Sequence, residues 1–199
     1  MKKILFVLVT FLIATIAKSQ SDNCSGAGAL TIGSCVTGNP GATQNIAGCG
    51  FANANDDAWY KFVATQTSHS ITVKGPATYD AVVQLYSGSC AALVSIGGCA
   101  DTYANGGTES ITASGLSVGT TYYLRIYDYS SSTSPGTFTT CVTIPPAAPG
   151  NNECAGSKTL TVNASCVNTS TTSFAATQST NTASNCNGGT PDDDVWFVF

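Results

Sequence analysis

Beyond residue 20, short apolar runs are separated by turns that are rich in Gly, Asn, Ser and Pro. Within the run 121–127, apolar side chains alternate with a second set: Tyr122, Leu124 and Ile126 fall on one face and Tyr123, Arg125 and Tyr127 on the other. No stripe of helical period is visible. We predict eight strands: Leu30–Val36, Ala58–Val63, Ser70–Val73, Ala81–Tyr86, Leu93–Ile96, Ser110–Thr112, Thr121–Tyr127 and Thr137–Ile144.

Eight short strands in about 120 residues are typical of two packed antiparallel sheets. We therefore predict an all-β protein, a jelly-roll-type two-sheet β-sandwich. Thr and Val, which favour strands, and Gly and Asn, which favour turns, are abundant in the same region.

The first 19 residues have the pattern of a secretory signal peptide. Lys2 and Lys3 precede an apolar run from Ile4 to Ala17, and small residues at Ala17 and Ser19 suit cleavage after Ser19, with cleavage after Gln20 as the second choice. The apolar run is shorter than the roughly 20 residues of a membrane span. We expect a secreted or cell-surface protein with no membrane span after signal cleavage.

An internal repeat organises the remainder. The segment 23–35 aligns with 153–166, and 55–62 (NDDAWYKF) aligns with 192–199 (DDDVWFVF). Cys24 matches Cys154, and Trp59 matches Trp196. A period of about 130 residues is too long for a solenoid unit, so we predict tandem domains.

The Pro-rich segment 145–151 separates the two copies, because prolines stiffen a chain and do not enter a sheet interior. We predict a first sandwich domain at 20–144, a linker at 145–151, and the start of a second, truncated sandwich at 152–199. The second copy reaches Phe199 inside an expected strand, so we expect the chain to be a fragment of a longer protein.

Charged residues are few, and most of them are acidic. Without residues 1–19, four Lys or Arg remain against eleven Asp or Glu, a net charge near −7. Nucleic acids bind cationic clusters, so we expect no nucleic-acid partner. The chain shows no G-x-S-x-G, H-E-x-x-H or phosphate-loop motif. Its one histidine, His69, begins a predicted strand, and we interpret it as a solvated edge residue.

Nine cysteines in an exported chain indicate disulfides rather than metal or redox chemistry, since no C-x-x-C occurs. We predict a Cys90–Cys99 bridge across a short excursion from the sandwich. For Cys24, Cys35, Cys49 and Cys141 three pairings are open; we prefer Cys24–Cys35 because both recur in the second copy.

The strands also carry a resemblance to a known family. YDAVVQLYSGSC (79–90), ESITASGLSVGTTYYLRIYDY (109–129) and GTFTTCVTI (136–144) resemble the bacterial pre-peptidase C-terminal domain. The cysteine-bearing opening and DDAWY (56–60) are more similar to variants in multi-repeat proteins exported by the type IX secretion system. The resemblance implies a jelly-roll fold and a role as an accessory to peptidases or as part of adhesin-like proteins.

Two sets of side chains are candidates for binding. Asp56 and Asp57, before a predicted core residue Trp59, could hold calcium, which takes six to eight oxygen ligands, although we favour a turn-capping role for Asp57. The set Tyr123, Arg125 and Tyr127 could stack on a ligand such as a surface glycan, although we favour cross-strand packing within the sheet.

We therefore expect a non-catalytic extracellular adhesion or structural repeat. The alternative is a carbohydrate- or calcium-binding accessory module of a secreted hydrolase. Apart from possible Ca²⁺ we expect no cofactor, and the partner would be a surface glycan or a protein. The sequence does not indicate an oligomeric state.

Overall fold

The structure is a computed structural model that describes residues 20–41, 43, 46–49, 56–130, 136–178 and 194–199. The predicted signal peptide lies outside the described residues. Two compact units follow each other, with the division between Thr143 and Ile144. The predicted domain bounds remain predictions.

Among the described residues of the first unit, the regular elements are one 3-10 turn, Cys24–Gly26, and nine strands joined by turns and loops. The strands are β1 (Gly28–Ala29), β2 (Ser34–Gly38), β3 (Ala58–Val63), β4 (His69–Lys74), β5 (Ala81–Ser89), β6 (Ala92–Ala100), β7 (Thr108–Ala113), β8 (Thr121–Asp128) and β9 (Phe138–Thr143).

These strands form a five-stranded sheet with the order β1-β3-β8-β5-β6 and a four-stranded sheet with the order β2-β9-β4-β7. Apart from the parallel β1–β3 pair, neighbouring strands are antiparallel. The prediction of an all-β, jelly-roll-type two-sheet sandwich is confirmed.

The first predicted strand is wrong in its position. Leu30 still follows β1, donating its N–H to the Lys61 carbonyl at 2.8 Å, but the chain then turns at Gly33 and β2 begins at Ser34. Gly33 has a φ of +85°, a left-handed conformation that favours glycine. The turn carries the chain from one sheet to the other.

The main core lies between the sheets and follows the alternation that the sequence shows. Tyr122, Leu124 and Ile126 of β8 point into it, together with Tyr60 and Phe62 of β3. Successive strand residues point to opposite faces, so the odd-numbered residues of β8 lie on the outer face of the five-stranded sheet.

Part of that outer face is also buried. Trp59 and Tyr86 pack there with ring centroids 5.8 Å apart, in a cluster with Cys24 and Ala27 of the N-terminal segment and with Ile46. Trp59 is 1% exposed, as a core tryptophan should be. The five-stranded sheet therefore has a covering layer on each side.

Three disulfides cross-link the first unit. Their pairings differ from those predicted, which are wrong. The bonds join Cys24 to Cys90, Cys35 to Cys141 and Cys49 to Cys99. The segment after Cys90 does not leave the sandwich: it is strand β6, which separates Cys90 from Cys99 by roughly 20 Å at about 3.3 Å per residue.

Cys24 and Cys35 also cannot bond to each other, because they lie against different sheets. Cys24 packs on the outer face of the five-stranded sheet. Cys35 lies in β2, directly opposite Cys141 of β9 in the four-stranded sheet, with a Cα–Cα distance of 4.2 Å. Recurrence of two cysteines in both copies thus did not mean that they bond to each other.

The second unit repeats the opening of the first. It has a 3-10 turn at Cys154–Gly156 and two short parallel strands, β10 (Lys158–Thr159) and β11 (Phe197–Val198). The Leu160 N–H donates to the Val198 carbonyl at 2.7 Å, at the aligned positions of the Leu30–Lys61 hydrogen bond. In the portion of the chain that is described, no helix has the length and apolarity to cross a membrane.

Candidate functional site

The outer face of the five-stranded sheet centres on Arg125, which is fully buried. Its Nε donates to Asp57 Oδ1 at 2.8 Å, and its Nη2 lies 2.8 Å from the same oxygen. Asp57 is also fully buried. Charges are buried in this way when they are paired, since an isolated buried ion is strongly unfavourable.

The remaining donors of Arg125 hold a loop in place. They reach the carbonyls of Ile46 at 2.5 Å and Ala47 at 2.8 Å, and the Gln84 Oε1 at 3.0 Å. The guanidinium also lies 4.5 Å from the ring centroid of Tyr127. Arginine suits this position because its planar fork presents five donors in fixed directions.

Tyr127 and a disulfide complete the attachment of the loop 46–49. The Tyr127 hydroxyl accepts a hydrogen bond from the Cys49 N–H at 2.8 Å, and Cys49 is bonded to Cys99 of β6. Loop and sheet are therefore joined by polar contacts, an aromatic contact and a covalent bond.

A second polar group lies where β3 begins and β8 ends. Asp56 Oδ1 accepts a hydrogen bond from the Asp128 N–H at 2.9 Å. Asp128 Oδ1 in turn accepts from the N–H groups of Asp80, at 3.2 Å, and Ser130, at 3.1 Å. Asp56 and Asp128 are 0% and 1% exposed.

The pKa of Asp56 is raised to about 6, mainly by burial and also by the nearby carboxylates of Asp128 and Asp57, while the hydrogen bond from the Asp128 backbone partly opposes the shift. The pKa of Tyr79 is raised by burial and, next, by the charge of Asp56. This end of the sandwich thus has an excess of negative charge.

The comparisons with known proteins agree with this architecture. A profile for T9SS-associated domains, described as galactose binding domain-like, matches residues 20–140, more than half of the chain. The chain belongs to the T9SS-associated galactose-binding-domain-like family. The similarity to variants associated with type IX secretion, which the sequence suggested, is confirmed by this match.

No curated protein matches this family member. Among solved structures, it is similar to the pre-peptidase C-terminal domain of a collagenase from Bacillus anthracis. The identity is 15% and the TM-score 0.40, over 58% of this chain and 93% of that one.

In this galactose-binding-domain-like chain, the predicted ligand face of Tyr123, Arg125 and Tyr127 is not an open surface. The alternation placed the three on one face correctly, but Arg125 and Tyr127 are fully buried and Tyr123 is half-buried beside the Trp59 cluster. These side chains are buried because residues that are distant in sequence form a covering layer over the outer face of the sheet. The interpretation as a stacking surface for a glycan is wrong.

The pair Asp56 and Asp57 does not act together either. Adjacent residues of an extended chain point to opposite faces, so Asp57 faces Arg125 on the outer side while Asp56 faces the interior with Asp128. Asp57 forms a buried ion pair, and its favoured role as a turn cap stays a prediction. Among the described residues, no three His, Cys, Asp or Glu side chains converge as a metal site.

His69 is buried rather than solvated. Its Nε2 accepts hydrogen bonds from the N–H groups of Thr65 and Gln66, at 3.1 and 3.3 Å, its Nδ1 lies 3.2 Å from the Thr143 carbonyl, and its ring packs edge-on against Phe62. The histidine organises a turn and has both ring nitrogens engaged.

Sequence reasoning missed Gln84, Asp128 and the loop 46–49. One signal was available for the ion pair. Arg125 is the single arginine of this chain and lies within an otherwise apolar strand, where a charged side chain needs a buried partner. Nothing comparable marks Asp128, whose neighbour Asp56 is 72 residues away.

A groove lies on the outer face of the four-stranded sheet, with a volume of about 550 Å³. Hydroxyl and amino groups from three strands line it: Thr72, Lys74, Thr108 and Thr139. Its size is in the range of small-molecule sites.

Proposed function

We propose that this chain is a non-catalytic extracellular module, an adhesive or structural β-sandwich repeat. One observation carries the proposal. The side chains that could perform chemistry in the first unit, above all Arg125, Asp57 and His69, are fully buried and hold loops and strands together. A catalytic group, in contrast, must reach its substrate.

The disulfides and the family support the proposed location. Three disulfides in one small unit are typical of proteins that fold in an oxidising compartment. A family associated with type IX secretion supports export. Disulfides stabilise the folded state of an extracellular module, since they restrict the unfolded chain.

The repeated opening of the second unit supports a tandem arrangement. The turn, the parallel strand pair and the Leu160–Val198 hydrogen bond occur at positions that align with those of the first unit. Repetition of a stable unit is a common means of building long extracellular surfaces.

The test is made in a bacterium with a functional type IX system. We expect an impermeant amine-reactive biotin to label the chain on intact cells, and labelling to be lost in a strain without the secretion system. Removal of the gene should reduce cell attachment to surfaces. Unchanged attachment together with a periplasmic chain would contradict the proposal.

Carbohydrate binding is a second candidate, and the groove on the four-stranded sheet favours it. Its hydroxyls and the amino group of Lys74 are suitable partners for sugar hydroxyls. A glycan array that includes galactose-terminated glycans tests it with the full chain. Lys74→Ala should weaken binding at least tenfold, while the charge-matched control Lys61→Ala on the other sheet should not.

A further inference from the structure

One of the three disulfides lies on the outer face of the four-stranded sheet. Cys35 of β2 is directly opposite Cys141 of β9, so the bond crosses between two neighbouring antiparallel strands. β2 is the outermost strand of this sheet, and β9 is its one neighbour among the described strands. The bond therefore ties an edge strand to the rest of the sheet.

This bond is also the most accessible of the three. Cys35 is exposed, whereas each of the other five bonded cysteines is buried or half-buried. The bond of Cys24 lies in the apolar cluster around Trp59. The bond of Cys49 packs against Tyr127. An attacking thiolate must reach a sulfur atom, so access favours exchange at Cys35.

The charges around this bond favour the thiolates that take part in exchange. Thr72 of β4 lies directly opposite Cys141, and Lys74 is two residues further along the same face of the same strand. Cys141 and Lys74 also line the same groove. The four strands of this sheet contain one carboxylate, Glu109, which is buried and accepts backbone hydrogen bonds. A lysine near a cysteine stabilises its thiolate, and no carboxylate of these strands opposes that effect.

β2 contributes little apolar surface to the core. Of its inward-facing residues, Val36 is half-buried against the core and Gly38 has no side chain. Burial of apolar surface is the main force that holds a strand in a sandwich, and each backbone hydrogen bond adds only a modest net stabilisation. The covalent bond is therefore a principal attachment of β2.

We propose that Cys35–Cys141 is a thiol–disulfide exchange site, which an external dithiol opens while the other two bonds persist, and that its opening releases β2 from β9. One thiolate of the dithiol attacks Cys35 Sγ, and the electron pair of the broken bond passes to Cys141 Sγ, in the groove with Lys74. The second thiolate attacks the dithiol's own sulfur in the mixed disulfide and expels Cys35 as a thiolate. The protein gains two electrons and two protons as two thiols, and the dithiol becomes a disulfide.

The first test measures how fast dithiothreitol reduces each bond in the native full chain. Free thiols are blocked beforehand, samples are quenched over time with a second alkylating agent, and mass spectrometry quantifies the newly modified cysteines. We expect Cys35 and Cys141 to be modified at least about tenfold faster than the other four bonded cysteines, because access governs exchange. In urea the three bonds should react at similar rates, since unfolding removes the difference in access.

The variant Lys74→Gln tests the electrostatic contribution. It should slow the reduction of Cys35–Cys141 severalfold at low salt and less at high salt, because dissolved ions screen the charge of the lysine. The control Lys61→Gln removes a lysine from the other sheet and should leave the rate unchanged. Equal rates in the two variants would refute the part assigned to Lys74.

Hydrogen exchange of the selectively reduced and alkylated chain tests the release of β2. The amides of residues 34–38 should exchange faster than in the wild type, while those of Ala58–Val63 should keep their protection. The double variant Cys35→Ser with Cys141→Ser should show the same pattern without any alkyl group.

Two results would overturn the proposal. Reduction of the three bonds at equal rates in the native chain, or faster reduction of another bond, overturns the exchange site. Unchanged protection of residues 34–38 in both the reduced chain and the double variant overturns the release of β2.

Discussion

Arg125 lies diagonally across the β3–β8 pair from Asp57, and two of its nitrogens are 2.8 Å from the same Asp57 oxygen. Both side chains are fully buried on the outer face of the sheet. The same guanidinium holds the carbonyls of Ile46 and Ala47. One ion pair therefore connects the sheet to the loop that covers it.

Removal of one member of this pair should be strongly destabilising. Asp57→Asn leaves the guanidinium buried without its counter-charge, and we expect the free energy of unfolding to fall by roughly 3–5 kcal/mol. Urea denaturation measures it. The double variant Arg125→Met with Asp57→Leu should regain part of this loss, because no charge is left buried, although the carbonyls of Ile46 and Ala47 lose their donor.

Two results would contradict this account of the ion pair. One is an Asp57→Asn variant as stable as the wild type. The other is a loss of similar size in the control Lys61→Met, which removes a half-buried lysine from the same strand.

The disulfides should appear in peptide maps prepared without reduction. We expect the pairs Cys24–Cys90, Cys35–Cys141 and Cys49–Cys99, with Cys154 and Cys166 open to alkylation. Their counterparts in the first unit do not bond to each other: Cys24 bonds to Cys90 in the turn between β5 and β6, and Cys35 bonds to Cys141 of β9. A Cys154–Cys166 peptide would contradict this expectation.

Loss of the Cys49–Cys99 bond should release the covering loop. The bond closes a separation of 50 residues, so replacement of both cysteines by serine should destabilise by about 4 kcal/mol in the chain-entropy model. Limited proteolysis should then cut near residues 46–49. Equal resistance of the variant and the wild type to protease would show that the loop does not depend on the bond.

Gly38 at the end of β2 should not tolerate a side chain. A Cβ there would overlap the Tyr60 hydroxyl and lie 2.8 Å from the Phe138 ring, both in the core. We expect Gly38→Ala to cost about 1–3 kcal/mol by overpacking. Gly98→Ala is the control, since a Cβ at Gly98 meets nothing within 4 Å. Thermal melts that do not distinguish the two variants would refute the argument.

The stability of the first unit should depend on pH through Asp56. Its pKa is about 6 in the folded state and 3.8 by reference, so the folded state holds the proton more tightly. Stability from this group is therefore full below pH 4 and falls as the pH rises through 6, by on the order of 3 kcal/mol.

Asp56→Asn should remove that fall, because the amide keeps the oxygen that accepts from the Asp128 N–H. We expect the variant to be more stable than the wild type at pH 7.5 and similar to it at pH 4. Urea denaturation at both pH values makes the comparison. A wild type whose advantage over the variant grows with pH would reverse the sign and refute it.

Local pattern was sufficient for most strands of the first unit. Ala58–Val63 was predicted with its observed bounds, and the alternation in β8 sorted Tyr122, Leu124 and Ile126 to the core. The prediction succeeded because successive strand side chains point to opposite faces, a property of the backbone alone. The prediction of one strand from Leu30 to Val36 failed, because the strand-like pattern runs through a turn at Gly33, which adopts a positive φ.

The sequence by itself determined an all-β sandwich, a cysteine-rich composition and an internal repeat, since these depend on composition, periodicity and order along the chain. Only the tertiary structure decided which cysteines bond, that Arg125 is buried, and that Asp56 meets Asp128 instead of acting with Asp57. Those contacts join residues 50 to 106 positions apart. They depend on strand order and register across two sheets, which no local pattern encodes.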